Sequence, residues 1–155
     1  WMVLDRGGRD GVAPGDAVLS MGHAAGKVVD TTAHEALVLT LTHPNAQWSV
    51  RVGKWGESGR LMERSGDVHF AILTDVPRAQ LALPGDTVLT TGFDGVFPAD
   101  VAVGLVEDVL GGKGDEFKTL LVRLGANYAQ SRHVLCLHGD QAARIDALTE
   151  NANRP

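Results

Sequence analysis

One short motif occurs twice in this sequence and largely determines what the chain can fold into. The first copy starts at Pro14 and reads PGDAVLSMGHAAGKVVDT, and the second starts at Pro84 and reads PGDTVLTTGFDGVFPADVAVGLVEDV. Six of the first nine aligned positions are identical, at an offset of 70 residues. Because solenoid repeats have periods of only about 20–50 residues, this spacing predicts two domain-sized halves.

The second copy is longer than the first. Gly26 and Val28 correspond to Gly104 and Val106 at an offset of 78, so the second copy carries eight extra residues, roughly DGVFPADV. The Pro-Gly-Asp sequence has a physical reason to recur, since Pro fixes φ, Gly adopts positive φ and Asp closes the turn through its side chain. Each copy therefore predicts a tight turn that leads into a β-strand.

The rest of the chain has the pattern of an all-β protein. Stretches rich in Val, Leu and Thr recur every 8–12 residues or so between Gly, Pro, Asn and Asp. Alternation in WSVRV and FKTLLVRL indicates strands buried on one face. We therefore predict two small six-stranded β-barrels, residues 1–65 and 66–139, with the boundary near Gly66. In residues 140–155, apolar positions near a 3.6-residue period predict a tail that is a short helix or disordered.

Bulk composition excludes some classes of partner. The formal net charge is −5 and the 14 basic residues are scattered singly, so nucleic acid is not an expected partner. No apolar run approaches the roughly 18 residues of a membrane span, and no cationic start leads into an apolar segment of the signal type. Because the sequence starts at Trp1 inside a predicted strand, we expect a fragment from which a membrane anchor has been removed. A single cysteine, Cys136, excludes an internal disulfide.

A serine protease is the first catalytic hypothesis, because chymotrypsin-like proteases are built from two small β-barrels. His34 and Ser58 are the candidate base and nucleophile. A triad in that order needs an acid between them, yet residues 31–57 contain no suitable one, since Glu35 and Glu57 are sequence neighbours of the groups they would orient. Both candidates also lie in the first half, whereas such a protease has its nucleophile on the second barrel. We therefore expect no catalytic residues.

Metal and phosphate sites are not indicated either. The stretch HEALV has Val38 where a zincin helix needs a second histidine. In HVLCLH, strand alternation places Cys136 and His138 on one face and His133 on the other, so at most two of them could share an ion. The stretch LGGKGDEF has Gly114 where a Walker motif needs Ser or Thr, and a strand follows it. No metal and no cofactor are expected.

The aromatic residues are expected mostly in the core. The exceptions to weigh are Phe93 and Phe97, which lie in the extra segment that only one copy of the duplicated unit carries. They could plug their own barrel, fill the junction between the halves or dock a partner, and the usual burial of aromatic residues favours the structural roles. Phe93, Val96 and Phe97 are the candidate partner-binding residues.

Four stretches of the sequence match one known family: RGGRDGV, VLTLTHPNAQWSVRV, TTGFDGVFPADVAVG and NYAQSRHVLCL. Together they resemble the periplasmic region of MreC, the rod shape-determining protein family of bacteria, over about residues 3–138. The sequence has Arg6 in place of the family's usual lysine and His133 in place of an aromatic residue. The most specific part is TTGFDGVFP with the VAVG that follows it.

This resemblance implies both a fold and a function. It implies two barrels of chymotrypsin-like topology without an active site, held at the inner membrane in the full-length protein by a helix that precedes a coiled coil. The expected role is a non-enzymatic scaffold of the cell-elongation machinery in the periplasm. Expected partners are the class-B penicillin-binding protein that crosslinks peptidoglycan, together with MreD, RodA and, indirectly, MreB. Self-association is also implied.

Two other functions stay open on the sequence. A periplasmic adaptor of an efflux or secretion system would also favour Gly-Asp turns, although the paired half-motifs of a lipoyl-type domain are absent. A chymotrypsin-like hydrolase comes third, and covalent labelling of Ser58 by a fluorophosphonate would support it.

Overall fold

The computed structural model describes residues 1–111, 116–138 and 152 of the chain. This part of the chain contains eleven β-strands. One 3-10 helix, Gly8–Asp10, accompanies them, so the all-β prediction is confirmed. The tail predicted for residues 140–155 lies outside the described residues, apart from Ala152. The strands are β1 (Met2–Leu4), β2 (Ala17–Ser20), β3 (His23–Thr31), β4 (Ala36–Thr40), β5 (Trp48–Val52), β6 (Gly59–Glu63), β7 (Phe70–Pro77), β8 (Thr87–Thr90), β9 (Ala102–Gly111), β10 (Phe117–Leu124) and β11 (Leu135–Leu137).

Six of these strands close into a barrel. The order is β9, β10, β7, β6, β5 and β8, with each strand antiparallel to the next, and β8 returns to pair with β9. The inward-facing residues of these strands fill the interior, where Leu61, Leu73 and Leu120 are fully buried. The alternation in β5 is the one that the sequence predicts, with Trp48 and Val50 buried.

The other strands form a five-stranded antiparallel sheet in the order β1, β4, β3, β2 and β11. A parallel contact between β3 and β9, at His23 and Ala102, joins this sheet to the barrel. In the described part of the chain, β1 and β11 have no strand on their outer edges. One closed six-stranded barrel and one five-stranded sheet therefore stand where the sequence predicts two six-stranded barrels.

The strand pairing differs from the predicted division of the chain near Gly66. That point falls between β6 and β7, which are neighbours in the barrel. Both β5 and β6 precede it yet belong to the barrel, while β11 pairs with β2 in the five-stranded sheet. Barrel closure depends on pairs that are distant in sequence, such as Val50 with Thr90, and no local signal at residue 66 reports them.

The two copies of the repeated motif adopt the same structure. Each begins a hairpin, β2–β3 or β8–β9, through a glycine at positive φ, +93° at Gly15 and +92° at Gly85. In each, the aspartate that follows accepts a hydrogen bond from a backbone N–H three residues earlier. The aspartate bonds are Ala13 N to Asp16 Oδ2 at 3.0 Å and Leu83 N to Asp86 Oδ2 at 2.9 Å. The glycines also donate matching backbone bonds, Gly15 N to Val28 O and Gly85 N to Val106 O, both 2.8 Å.

The correspondence extends to the neighbouring strands. β3 pairs with β4 as β9 pairs with β10, and β1 pairs with β4 as β7 pairs with β10. β11 pairs with β2 as β5 pairs with β8. In the described residues β6 has no counterpart, and its equivalent place lies between β1 and β11.

The structure describes no helix with the length and apolar character needed to span a bilayer.

Candidate functional site

The extra segment of the second copy forms the loop between β8 and β9, residues 91–101, at one end of the barrel. Phe97 is only 3% exposed and packs on Trp48, with ring centroids 5.6 Å apart. Val96 is partly buried against the same core. The loop thus plugs its own barrel through Phe97, which is one of the structural roles that the sequence leaves open.

Phe93, in the same loop, points away from that core. Its side chain is 76% exposed, although aromatic residues are usually buried. Of the three candidate residues, the structure therefore places Phe93 on the surface, Phe97 in the core and Val96 between them. An exposed aromatic residue next to a buried one gives the loop an apolar contact surface on a fixed base.

Side-chain hydrogen bonds fix the backbone of this loop. Thr90 Oγ1 donates to Pro98 O and accepts from Val101 N, so one hydroxyl joins the start of the loop to its end. Asp94 bridges the loop to β5, since its two carboxylate oxygens accept from Val96 N and Ser49 N. The four distances are 2.6 Å, 2.9 Å, 3.1 Å and 3.3 Å, in the order given.

Phe93 itself is held by its neighbours. Its N–H donates to Thr91 Oγ1 at 3.0 Å, and that hydroxyl donates to Ser49 Oγ at 2.7 Å. At the far end of the loop, Asp100 forms an ion pair with Arg51 of β5. A loop that is ordered before binding loses less conformational entropy when a partner docks, so this arrangement favours recognition of a protein surface.

The candidate catalytic residues lie apart in the fold. His34 is in the connection between β3 and β4 of the five-stranded sheet, and Ser58 is in the connection between β5 and β6 of the barrel. Both are exposed, and in the part of the chain that the structure describes neither side chain makes a hydrogen bond. The geometry gives neither residue the base or acid that a triad requires.

The sequence predicts that Cys136 and His138 lie on one face of a strand. In the structure, His138 contacts an aspartate. His138 Nδ1 lies 3.1 Å from Asp16 Oδ1, and Asp16 is buried. Partial burial, with a smaller effect of the Asp16 charge, raises the pKa of the Cys136 thiol, which makes it a poor nucleophile and metal ligand. His133 is exposed, and the described residues contain no group of three or more His, Cys, Asp or Glu placed to hold an ion. Gly114 lies outside the described residues.

Trp55 is exposed, although aromatic residues are expected mostly in the core. Its side chain is 90% exposed in the connection between β5 and β6, whereas Trp48 is buried. The signal that could have found it is the sequence GKWG, because the flanking Gly53 and Gly56 indicate a turn and not a strand. Exposed tryptophan is a frequent anchor of protein interfaces.

Comparison with known proteins gives a consistent result. The family model "Rod shape-determining protein MreC, barrel core" matches residues 1–138. The cell shape-determining protein MreC of Listeria monocytogenes is 31% identical over 137 residues, which cover 86% of this chain and 46% of that protein. The chain spans about half the length of the curated relatives that it matches.

Solved structures of the family share the fold. MreC from Pseudomonas aeruginosa is 28% identical with a TM-score of 0.81, and the match covers 88% of this chain and 87% of that one. A chain in a complex between penicillin-binding protein PBP2 and MreC from Helicobacter pylori is 22% identical with a TM-score of 0.63, covering 77% and 74% respectively. The second likeness concerns the fold alone.

Proposed function

Because the chain belongs to the MreC family of rod shape-determining proteins, we propose that it is a non-enzymatic scaffold of the cell-elongation complex. It acts in the periplasm, and the full-length protein is attached to the inner membrane. It binds and activates the class-B transpeptidase that crosslinks peptidoglycan and associates with itself. It works with MreD and RodA, and indirectly with MreB.

The observation that carries this proposal is Phe93, exposed on a loop that only one copy of the duplicated unit has. An apolar side chain on a backbone that Thr91 and Ser49 hold in place is suited to insert into a pocket of a partner. The complex of MreC with a penicillin-binding protein in Helicobacter pylori supports the choice of partner. We propose that Phe93 makes the contact and that Val96 and Phe97 position it.

Activation requires no covalent step by this chain. A scaffold that binds the crosslinking-competent conformation of the transpeptidase more tightly than the resting one increases the population of the competent conformation. Differential binding of about 1.4 kcal/mol shifts that equilibrium about tenfold. A preordered loop suits this role because it discriminates between two shapes of the partner instead of adapting to both.

Replacing Phe93 with serine is expected to weaken binding of the transpeptidase's periplasmic region by roughly 30-fold or more, the effect of losing an interface hot spot of about 2 kcal/mol. The substitution should leave stability within about 0.5 kcal/mol, since the side chain is exposed. Titration calorimetry measures the dissociation constant, and thermal melting followed by circular dichroism measures the stability.

Met21 provides the matched control. It lies in the corresponding connection of the first copy, between β2 and β3, and is 78% exposed. Met21→Ser should leave the dissociation constant unchanged. An unchanged constant for Phe93→Ser would contradict the proposed contact, and no association of the wild-type pair would contradict the proposed function.

We further propose that the five-stranded sheet is a barrel that lacks one strand, and that the complete domain is a pair of barrels of chymotrypsin-like topology without an active site. The pairing of Met2 with Val38 corresponds to that of Ala71 with Val122, which makes β1 the counterpart of β7. β6 directly precedes β7 in the chain and bridges it to β5. A groove of about 750 Å³, lined by β1 and by Val134 and Cys136 among others, is available at the equivalent place.

A strand supplied ahead of β1 should occupy that groove. If residues 59–69 are copied in front of Trp1, the new strand is expected to pair with β1 and slow exchange of edge amides in β1 and β11 by about tenfold or more. Hydrogen exchange read by mass spectrometry or NMR measures this effect. The control is a polar extension of equal length rich in Gly and Ser, and equal exchange in both versions would contradict the proposed barrel.

A further inference from the structure

The end of the barrel opposite the Phe93 loop carries a second apolar surface. Trp55 lies in the connection between β5 and β6, and Leu81, 76% exposed, lies in the connection between β7 and β8. Between them is an open groove of about 630 Å³. Its remaining apolar lining comes from Val52 and Leu89, whose strands pair with each other. We call this surface the Trp55 groove.

The Trp55 groove and the Phe93 loop are separate surfaces. Ser49, near the start of β5, is hydrogen bonded to the Phe93 loop, whereas Trp55 follows the end of the same strand. The extended chain from Ser49 to Val52 alone corresponds to about 10 Å, at roughly 3.3 Å per residue, and Trp55 lies in the turn beyond it. Two proteins could therefore contact the two ends of the barrel without competing for the same residues.

The charged residues of the Trp55 groove have counterparts in the first copy of the repeated motif, and the two sets can be compared. In the first copy, Asp16 lies against His138, which follows β11. The counterparts in the second copy are Asp86 and Lys54, because Val88 pairs with Val52 as Val18 pairs with Cys136. Both Asp86 and Lys54 line the Trp55 groove.

These two counterparts are not paired with each other. Lys54 Nζ lies over the Trp55 ring, 5.7 Å from its centroid. Asp86 Oδ2 accepts from Leu83 N, and among the described residues neither Lys54 nor Asp86 belongs to an ion pair. The first copy thus joins its acid and base to each other, while the second leaves a cation and a carboxylate available in the lining of one groove.

We propose that the Trp55 groove is a docking site for an extended segment of a second protein. The segment inserts an apolar side chain between Trp55 and Leu81, an acidic residue beside it meets Lys54, and a basic residue meets Asp86. Charge complementarity identifies the partner, since the groove presents one charge of each sign together with the apolar Trp55 and Leu81. A membrane surface fits less well because the Asp86 carboxylate, which lines the groove, would repel anionic headgroups.

This site goes beyond the proposed function because it gives the barrel a second, independent partner. A scaffold needs at least two binding surfaces to bring two proteins together, and these two lie at opposite ends of one rigid barrel. Desolvation of Trp55 by the inserted side chain would supply most of the affinity, as buried tryptophans commonly do at interfaces.

A library of random twelve-residue peptides displayed on phage is the probe. Selection on the immobilised chain is expected to enrich peptides with a large apolar residue flanked by acidic and basic residues. Fluorescence anisotropy of a synthetic copy of the most enriched peptide should show about tenfold or more weaker binding to Trp55→Ala and to Lys54→Glu. Phe93→Ser, at the other end of the barrel, should bind it as the wild type does.

Three results would overturn the proposal. The first is a library without enrichment, or a peptide that binds Trp55→Ala as tightly as the wild type. The second is self-association in sedimentation experiments that disappears in Trp55→Ala, which would assign the groove to a second copy of the chain. The third is flotation with vesicles of phosphatidylethanolamine and phosphatidylglycerol that depends on Trp55. Leu81→Ser serves as a second variant of the groove. Unchanged melting temperatures of Trp55→Ala and Leu81→Ser confirm that the fold is intact.

Discussion

Truncation of Phe97 to alanine is expected to destabilise the protein by about 3–5 kcal/mol, the range for removing a buried phenylalanine ring. Phe97 is almost fully buried and packs on Trp48, so the substitution leaves a cavity beneath the β8–β9 loop. Domains of this kind are typically stable by only about 5–15 kcal/mol, so the variant should lose a large fraction of its free energy of unfolding. Urea denaturation followed by tryptophan fluorescence measures the change.

Phe93→Ala is the matched control for this prediction. It removes the same ring from the same loop, but the ring is exposed, so the expected change in the free energy of unfolding is within about 0.5 kcal/mol. Equal destabilisation by the two substitutions would contradict the assignment of Phe97 to the core and Phe93 to the surface. The pair therefore separates the structural role of the loop from its proposed role in binding.

Replacement of Gly104 by alanine should destabilise the barrel by about 3 kcal/mol or more, at the upper end of the range for overpacking. An added Cβ would lie 2.0 Å from Arg123 O, at the end of the ladder between β9 and β10 where Gly104 pairs with Leu124. Backbone of a paired strand cannot move away as a flexible side chain can, so relief of the clash requires separating the two strands. The denaturation midpoint in urea reports the loss.

Two further glycines test the cause of this effect. Gly26 is the counterpart of Gly104 in the first copy, and a Cβ there would lie 2.2 Å from Leu39 O, so Gly26→Ala should be comparably destabilising. At Gly8, the nearest atom to an added Cβ is Thr32 O at 3.6 Å, an ordinary contact. Gly8→Ala should therefore be mild, and a cost for Gly104→Ala no greater than for Gly8→Ala would contradict the steric argument.

Much of the local structure is predictable from the sequence because it depends on turn chemistry and alternation. The two Pro-Gly-Asp sequences predict two similar turns that precede strands, and both form with the same hydrogen bonds. The alternation in β5 correctly assigns its buried face. These signals act over a few residues, and the duplication reinforces them by presenting each one twice.

The grouping of strands could not be predicted in the same way. The barrel closes because β5 pairs with β8, and β11 returns to β2 across more than a hundred residues. Such pairs depend on which edges remain available after the rest of the sheet has formed, and that information is not present near Gly66. The predicted boundary therefore falls between two strands that pair with each other.

The burial of single residues in the candidate site could not be predicted from the sequence either. The extra segment identifies the loop, but Phe93 and Phe97 have the same side chain and lie four residues apart. Only the position of the barrel interior decides that Phe97 meets Trp48 while Phe93 meets solvent. Trp55 escapes prediction because its residue type favours burial, while the turn that carries it extends beyond the end of the barrel.

The two halves of this molecule share part of their apolar interior. Ala17, Ala24 and Leu41 of the first copy belong to the same buried cluster as Leu61 and Leu120 of the barrel. Neither copy is therefore a transferable module, since cutting the chain between them would expose part of a common core. A change of side-chain volume on one side of this shared cluster therefore has to be accommodated by residues of the other half.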